Sequence, residues 1–249
     1  MSGHNKWSTI KRKKGAIDSK RSKIFSRITK EITIAVKEGG ADPEGNARLR
    51  LAINNAKGAN MPKDNMMRAI HKAEKDPDNF HELTFEGYGP GGVAIFLECL
   101  TDNNNRTVSA VRSVFSKRGG TLGTNGSLAF LFDRQGIFTI LKDKINLEDV
   151  ELDLIDAGAE NIELNDDTYT VSTAMEDFGK MNKKLEELKI EVENASLQRV
   201  PNDYKSTDKS TALRVLRLID EFEENEDVQS AYHNLEITDE IMADMESSE

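Results

Sequence analysis

The first third of the chain carries apolar residues at helical spacing. From about Ser22 to Gly39-Gly40, one side of a helix at 100° per residue is apolar and the other is basic. Two more helices are expected, from Asp42-Pro43 to about Lys57 and from Asn60 to about Lys75. Three short amphipathic helices predict a small bundle. The apolar side of the first is formed by Ile24, Phe25, Ile28, Ile32, Ala35 and Val36.

Strand patterns replace the helical ones after a polar linker at residues 76–79. We expect strands at Glu82–Glu86 and Val93–Leu100, joined by a glycine-rich turn. A helix at Thr107–Arg118 and a strand at Ser127–Phe132 follow. Cys99 alternates with apolar residues in the second strand, which predicts a buried structural thiol.

The next segment has a different order of strands and helices. It predicts a strand at 136–141, a helix at 147–157, strands at 161–164 and 168–173, a helix at 177–188 and a strand at 189–197. This βαββαβ order is the ferredoxin-like split motif. A helix at Thr211–Glu223 and a strand at Val228–Leu235 follow, and they would complete the sheet begun at Glu82. The motif would then be an insertion.

The pattern therefore predicts an α+β multidomain protein. A three-helix bundle precedes two α+β domains, and the ferredoxin-like third domain is inserted into the second. The expected limits are a flexible basic tail at 1–20, the bundle at 21–76, an α+β domain at 79–132 plus 205–240, the inserted domain at 133–204, and an acidic tail at 241–249. We expect the chain to be frayed after Thr238.

Charge is distributed unevenly along these segments. The chain as a whole has a net charge of −10, yet residues 1–37 hold eleven basic residues against two acidic ones. Such a cationic end is typical of a polyanion-binding arm, because each Lys or Arg that meets a phosphate releases condensed counterions. The alternative is that the basic face of the first helix is an ordinary solvated surface.

Two aromatic or cationic features sharpen this hypothesis. Trp7 lies in the basic tail, where its indole would stack on a base, unless it folds back onto the bundle. Arg106 follows three asparagines in a second cationic loop, although the asparagines would equally serve as turn and cap residues. The candidate nucleic-acid-binding residues are Lys6, Trp7, Lys11, Arg12, Lys13, Lys14, Lys20, Lys23, Arg27, Lys30 and Arg106.

Other classes of function find little support in the sequence. The glycines at 87–92 match G-x-G-x-x-G, but a strand follows them, whereas a dinucleotide site needs a helix there. The four histidines lack ligand spacing, and no nucleophile is placed beside a base. We expect no enzymatic activity, no cofactor, no metal, no small-molecule substrate and no membrane association. The absence of a secretory signal predicts a cytoplasmic protein.

Several stretches of the chain resemble the YebC family. They are MSGHNKWSTIKRKKGAIDSKRSKIFSRITKEI, GGADPEGNARLRLAINNAKGANMPKDNMMRAIHKA, EGYGPGGVAIFLECLTDNNNRTVSAVRSVFSKRGG and GSLAFLFDRQG. The resemblance covers essentially the full chain, and it is loosest in the C-terminal half. It implies three domains, the third inserted into the second, and nucleic-acid binding without catalysis.

The resemblance implies two kinds of function. Some family members are described as promoter-binding transcriptional regulators, which would read duplex DNA. Others are similar to ribosome-associated factors that help difficult, proline-rich peptide stretches to form, and they would bind ribosomal RNA. We therefore expect DNA or ribosomal RNA as the partner, with the ribosome as a further candidate. A third hypothesis is a protein-interaction module in which the inserted domain binds a partner and the basic tail adds only non-specific attraction.

Overall fold

Three amphipathic helices form an N-terminal bundle, as their periodicity predicts. The computed structural model describes residues 18–75, 79–165 and 167–247, with side chains from Arg21 to Ala243 within those ranges. The helices of the bundle are α1 (Asp18–Gly39), α2 (Ala47–Gly58) and α3 (Lys63–Lys75). Their apolar sides meet in one core that contains Ile32, Leu49 and Ile70.

Helix α2 begins five residues later than the sequence predicts. The prediction that Asp42-Pro43 opens the helix is wrong, because Asp42 Oδ1 accepts a hydrogen bond from the Glu44 amide and forms a turn instead. Asn46 is the true N-cap, since its side chain accepts from the Leu49 amide at 3.0 Å. The same side chain donates to the carbonyl oxygens of Ala35 and Gly40. Asn46 thereby joins the end of α1 to the start of α2.

A four-stranded sheet with helices follows the bundle in the chain. Its elements are β1 (His81–Tyr88), β2 (Ala94–Thr101), α4 (Asn104–Lys117), β3 (Thr121–Leu122), α7 (Lys209–Glu224) and β8 (Val228–His233). The strand order is β3-β1-β2-β8, and the neighbouring strands are antiparallel. The late pair α7 and β8 completes the sheet begun by β1, as expected. The short strand β3 has no periodic signal and was not predicted.

The glycines between β1 and β2 form a hairpin turn and do not precede a helix. Gly91 and Gly92 have φ angles of 71° and 72°, which favour glycine. Alternate residues of β2 then face opposite sides of the sheet. Ile95, Leu97 and Cys99 join one core, so Cys99 is a buried thiol as predicted. Phe96 joins a second core on the other face.

The prediction of a strand at Ser127–Phe132 is wrong. Ala129–Leu131 is a single 3₁₀ turn, and the strand begins only at Phe132. The reason is a tertiary contact that the local pattern does not contain. The buried carboxylate of Glu86 accepts hydrogen bonds from the backbone amides of Gly126 and Leu128, which a strand would have used in a ladder.

The inserted segment has the predicted ferredoxin-like order. Its elements are β4 (Phe132–Leu141), α5 (Leu147–Asp156), β5 (Ala159–Asn165), β6 (Thr168–Ala174), α6 (Phe178–Glu187) and β7 (Val192–Pro201). The strand order β5-β6-β4-β7 is that of the split βαβ motif. β7 begins later than predicted because Lys189 ends α6 in a left-handed conformation, with φ of 56°. The fold class is therefore confirmed.

A final helix, α8 (Asp239–Ser247), occupies the segment expected to be frayed. Its Ile241 side chain is buried in the same core as α4 and α7. The Thr238 hydroxyl accepts from the Ile241 amide at 3.4 Å at the start of this helix. Met242 packs against the same core, and the strong acidity of the segment conceals these apolar residues in the sequence pattern.

The chain divides into two compact units. One contains residues 79–133 and 200–249, and the other contains 21–78 with 134–199. The second unit thus combines the bundle with most of the inserted segment. Within it, the Asn55 side chain of α2 exchanges two hydrogen bonds of 2.9 Å with the backbone of Ala195 on the edge strand β7. The domain limits expected from the sequence stay a prediction.

Candidate nucleic-acid interface

The predicted nucleic-acid-binding residues fall into three groups in the structure. Six of them lie outside the described residues: Lys6, Trp7, Lys11, Arg12, Lys13 and Lys14. Lys20 belongs to α1, although its side chain is not described. Lys23, Arg27 and Lys30 lie together on α1, and Arg106 lies on α4 in the other compact unit.

Lys23, Arg27 and Lys30 form one basic stripe along α1. Their spacings of four and three residues place them on the same side of the helix, opposite the buried residues Ile32 and Val36. All three side chains are partly exposed. Phosphates are bound by cations in this kind of arrangement, because successive helical turns present successive charges.

Arg48 of α2 forms ion pairs with two acidic residues of α1. Its guanidinium lies 2.8 Å from a Glu38 carboxylate oxygen and 3.4 Å from one of Glu31. These pairs use the two glutamates of α1 on the side where α2 packs.

The bundle as a whole is cationic, and the two α+β parts of the chain are acidic. Residues 21–75 hold twelve basic and six acidic residues. Residues 134–199 hold eight basic and sixteen acidic ones, and residues 79–133 with 200–249 hold eight and nineteen. A polyanion is thus attracted to the bundle and repelled by the two α+β parts.

One end of the bundle gathers further cations that the sequence did not single out. Arg21 donates to the carbonyl oxygen of Asn60 in the turn between α2 and α3, at 3.3 Å. Its guanidinium carbon lies 5.4 Å from the centre of the Phe25 ring. Lys57 and Lys63 flank the same turn and line an adjacent groove of about 630 Å³. The sequence gives one indication of this grouping, which is that the two lysines flank the turn marked by Gly58 and Pro62.

Arg106 is held by acidic neighbours. Its guanidinium donates to both carboxylate oxygens of Asp227 at 2.9 Å and to Asp102 at 2.8 Å. The hydrogen bonds that Arg106 donates to Asp227 and then to Asp102 raise the pKa of Arg106 above its usual value. Asp227 is buried and also accepts from the Thr107 hydroxyl. The geometry thus gives Arg106 a clear structural partner, and its contact with phosphate stays a prediction.

The asparagines beside Arg106 include a helix cap. Asn103 is the N-cap of α4, and its side chain accepts from the Arg106 amide at 3.0 Å. The turn-and-cap interpretation is therefore confirmed for Asn103. Within the part of the chain that the structure describes, no group of three His, Cys, Asp or Glu side chains is placed to hold a metal ion. None of the helices in that part is long and apolar enough to span a bilayer.

Two family models together match almost the whole chain. The model of the TACO1/YebC protein N-terminal domain matches residues 5–76, and that of the TACO1/YebC second and third domain matches residues 80–235. The chain belongs to the TACO1/YebC family. The family boundary at residues 76–80 coincides with the linker between the bundle and β1.

Relatives within the family are similar over their full length. A probable transcriptional regulatory protein of Rubrobacter xylanophilus is 48% identical over 248 residues, which are 98% of this chain and 99% of that protein. The probable transcriptional regulatory protein YrbC of Bacillus subtilis is 46% identical over 238 residues, 94% of this chain and 99% of that one. Family members of this kind are thus named as regulators.

A solved structure supports the same fold. The crystal structure of a conserved hypothetical protein from Aquifex aeolicus matches with a TM-score of 0.82 and 38% sequence identity. The match covers 90% of this chain and 93% of that one. This chain is therefore similar in fold to that protein.

Proposed function

We propose that this protein is a non-enzymatic regulator of gene expression that binds nucleic acid through its basic N-terminal end. The observation that carries the proposal is the partition of charge. The bundle is cationic, its α1 stripe presents Lys23, Arg27 and Lys30, and both α+β parts are acidic. Nucleic acid then docks in one orientation, with the bundle toward the phosphates.

The leading form of this function is DNA-binding regulation of transcription. The names of the relatives from Rubrobacter xylanophilus and Bacillus subtilis support it. In this form the basic tail and the α1 stripe contact duplex phosphates, and Trp7 adds a stacking contact. Arg106 contributes only if it contacts phosphate while it keeps its bonds to Asp227.

The alternative form is a ribosome-binding or RNA-binding translation factor that helps the synthesis of proline-rich stretches. The groove beside Lys57 and Lys63 favours this alternative, because an apolar recess with cations suits unpaired bases better than a closed duplex. Both forms use the same cationic end, so one set of variants tests them together.

Salt-dependent binding to duplex DNA and to structured RNA tests the proposal. We expect alanines at Lys11, Arg12, Lys13 and Lys14, or Lys23→Gln with Arg27→Gln and Lys30→Gln, to weaken binding. The slope of log affinity against log salt should fall by about 0.7–0.9 for each lost contact. A matched control removes three exposed cations from other parts of the chain: Lys142→Gln with Lys183→Gln and Arg217→Gln. Equal losses in test and control variants would contradict oriented docking.

Sedimentation of a cell lysate separates the two forms of the function. Co-migration of the protein with ribosomes, lost after alanine substitution at Lys11, Arg12, Lys13 and Lys14, would support the translation factor. Retention on chromosomal DNA that is sensitive to DNase, without ribosome co-migration, would support the transcriptional regulator. Partner binding that survives deletion of residues 1–20, without any nucleic-acid binding, would instead indicate a protein-interaction module.

A further inference from the structure

The groove at the end of the bundle has an apolar floor and a cationic rim. Ile53, Met61, Met66 and Met67 line its floor, while Lys57 and Lys63 lie at its rim. Met61 and Met66 are buried, and Met67 is 41% exposed. Its volume of about 630 Å³ is within the range of small-ligand sites.

The floor of this groove belongs to a small packed cluster and so keeps its shape. Met61, Met66 and Ala56 form the cluster, with Phe25 packed against it. The turn between α2 and α3 is closed by a hydrogen bond of 2.8 Å from the Met61 amide to the Ala56 carbonyl oxygen. Arg21 adds a further bond to this turn at Asn60.

The charges around the groove indicate what it binds. Both rim residues are exposed lysines, Arg21 lies beside them, and none of the described residues that line the groove is acidic. A basic peptide is repelled from such a rim. An anionic ligand with a flat apolar part contacts the lysines of the rim with its charge and the apolar floor with its flat face. A nucleotide within a strand has this composition, since its base is apolar on both faces and phosphates flank it.

We propose that the groove binds one unpaired base of a single-stranded nucleic acid, with Lys57 and Lys63 contacting the phosphates on either side. The base lies against Met67 and Ile53. A base inside a duplex is stacked and paired, so it does not reach a recess of this kind. This inference rests on the proposed function and extends it, because it names a single-stranded segment of nucleic acid as the ligand of the groove, in addition to the phosphate contacts of the tail and of α1.

Binding of short single-stranded RNA and DNA probes, and of a duplex of the same sequence, tests the inference. We expect Met67→Ser to weaken single-strand binding about tenfold and to leave duplex binding unchanged. Lys57→Gln with Lys63→Gln should lower the salt slope for single strands by about 1.4, which is about 0.7 for each lost contact. The control, Lys72→Gln with Lys75→Gln, removes the same charge at the far end of α3 and should change neither quantity.

The outcomes separate this inference from the proposed function. The lysines are exposed, so their variant tests the groove even if Met67→Ser lowers stability. Unchanged single-strand binding in both groove variants, together with weakened binding after substitution at Lys11, Arg12, Lys13 and Lys14, overturns the groove alone. Failure of the unmodified protein to bind any probe overturns both proposals. The RNA and DNA probes show which kind of strand is bound more tightly.

Discussion

Gly58, the last residue of α2, lies directly on the edge strand β7. A Cβ atom placed there would be 1.9 Å from the carbonyl oxygen of Glu193, which is backbone and cannot swing away. We predict that Gly58→Ala lowers the free energy of unfolding by about 2–3 kcal/mol, because α2 must move off the strand. Urea-induced unfolding measures the change.

The control for this prediction is another helical glycine with open space around it. A Cβ at Gly179 in α6 would meet nothing within 4 Å. Gly179→Ala should therefore raise stability by about 0.5–1 kcal/mol, through helix propensity alone. Loss of stability in both variants, or in neither, would show that the contact between Gly58 and Glu193 is not what decides the effect.

Single residues show how far sequence patterns reach. Cys99 was correctly predicted as a buried thiol, because period-two alternation assigns it to one face of a strand. The environment of Arg106 was only half predicted. Its neighbour Asn103 caps a helix, which local sequence indicates, but its partner Asp227 lies 121 residues away. Contacts over such a separation leave no periodic signal.

Among the elements, the junction between α1 and α2 depends on one buried side chain. Asn46 donates to the carbonyl oxygens of Ala35 and Gly40 and accepts from the Leu49 amide. Asn46→Ala removes the cap and leaves carbonyl groups without a donor. We predict a loss of about 2–4 kcal/mol in the free energy of unfolding, measured by thermal or chemical denaturation.

Asn146 provides the matched comparison at the start of α5. It occupies the N-cap position but makes no capping bond to the backbone, and its exposed side chain only donates to Asp149. Asn146→Ala should therefore change stability by less than about 0.5 kcal/mol. Similar losses of stability in the two variants would contradict this prediction, because the hydrogen bonds of the Asn46 side chain would then not be the cause of its effect.

The elements that the sequence predicted well share a property that the missed ones lack. The helices α1, α3 and α7 each bury an apolar side, so their periodicity is sufficient, although Ile24 at the start of α1 is 45% exposed. The start of α2 and the segment at 126–131 depend instead on polar side chains, Asn46 and Glu86, that bind backbone groups. The candidate interface follows the same rule. Clustered charge revealed the α1 stripe, whereas the groove required the packing of α2 against α3.

At the scale of the whole molecule, the order of the elements predicts that one α+β segment is inserted into another. It does not predict that residues 21–78 and 134–199 belong to one compact unit, because a complete sheet hairpin and a helix separate them in sequence. Their association depends on α2, which covers the free edge of β7. The nucleic-acid-binding end proposed here is thus built on the inserted domain as well as on the bundle.

Hydrogen exchange tests whether the bundle protects the inserted sheet. The Asn55 side chain replaces a neighbouring strand, since it accepts from the Ala195 amide and donates to the Ala195 carbonyl oxygen, both at 2.9 Å. We predict that Asn55→Ala speeds exchange of the Ala195 amide at least about fivefold, because the loss of a buried hydrogen bond costs about 1 kcal/mol or more. Exchange in β1, β2 and β8 should be unchanged. Asn54→Ala, one residue away in the same cleft, is the control and should leave Ala195 protected. Equal acceleration in β1 and β7 would indicate general destabilisation, and the edge of β7 would then have to be protected by something other than α2.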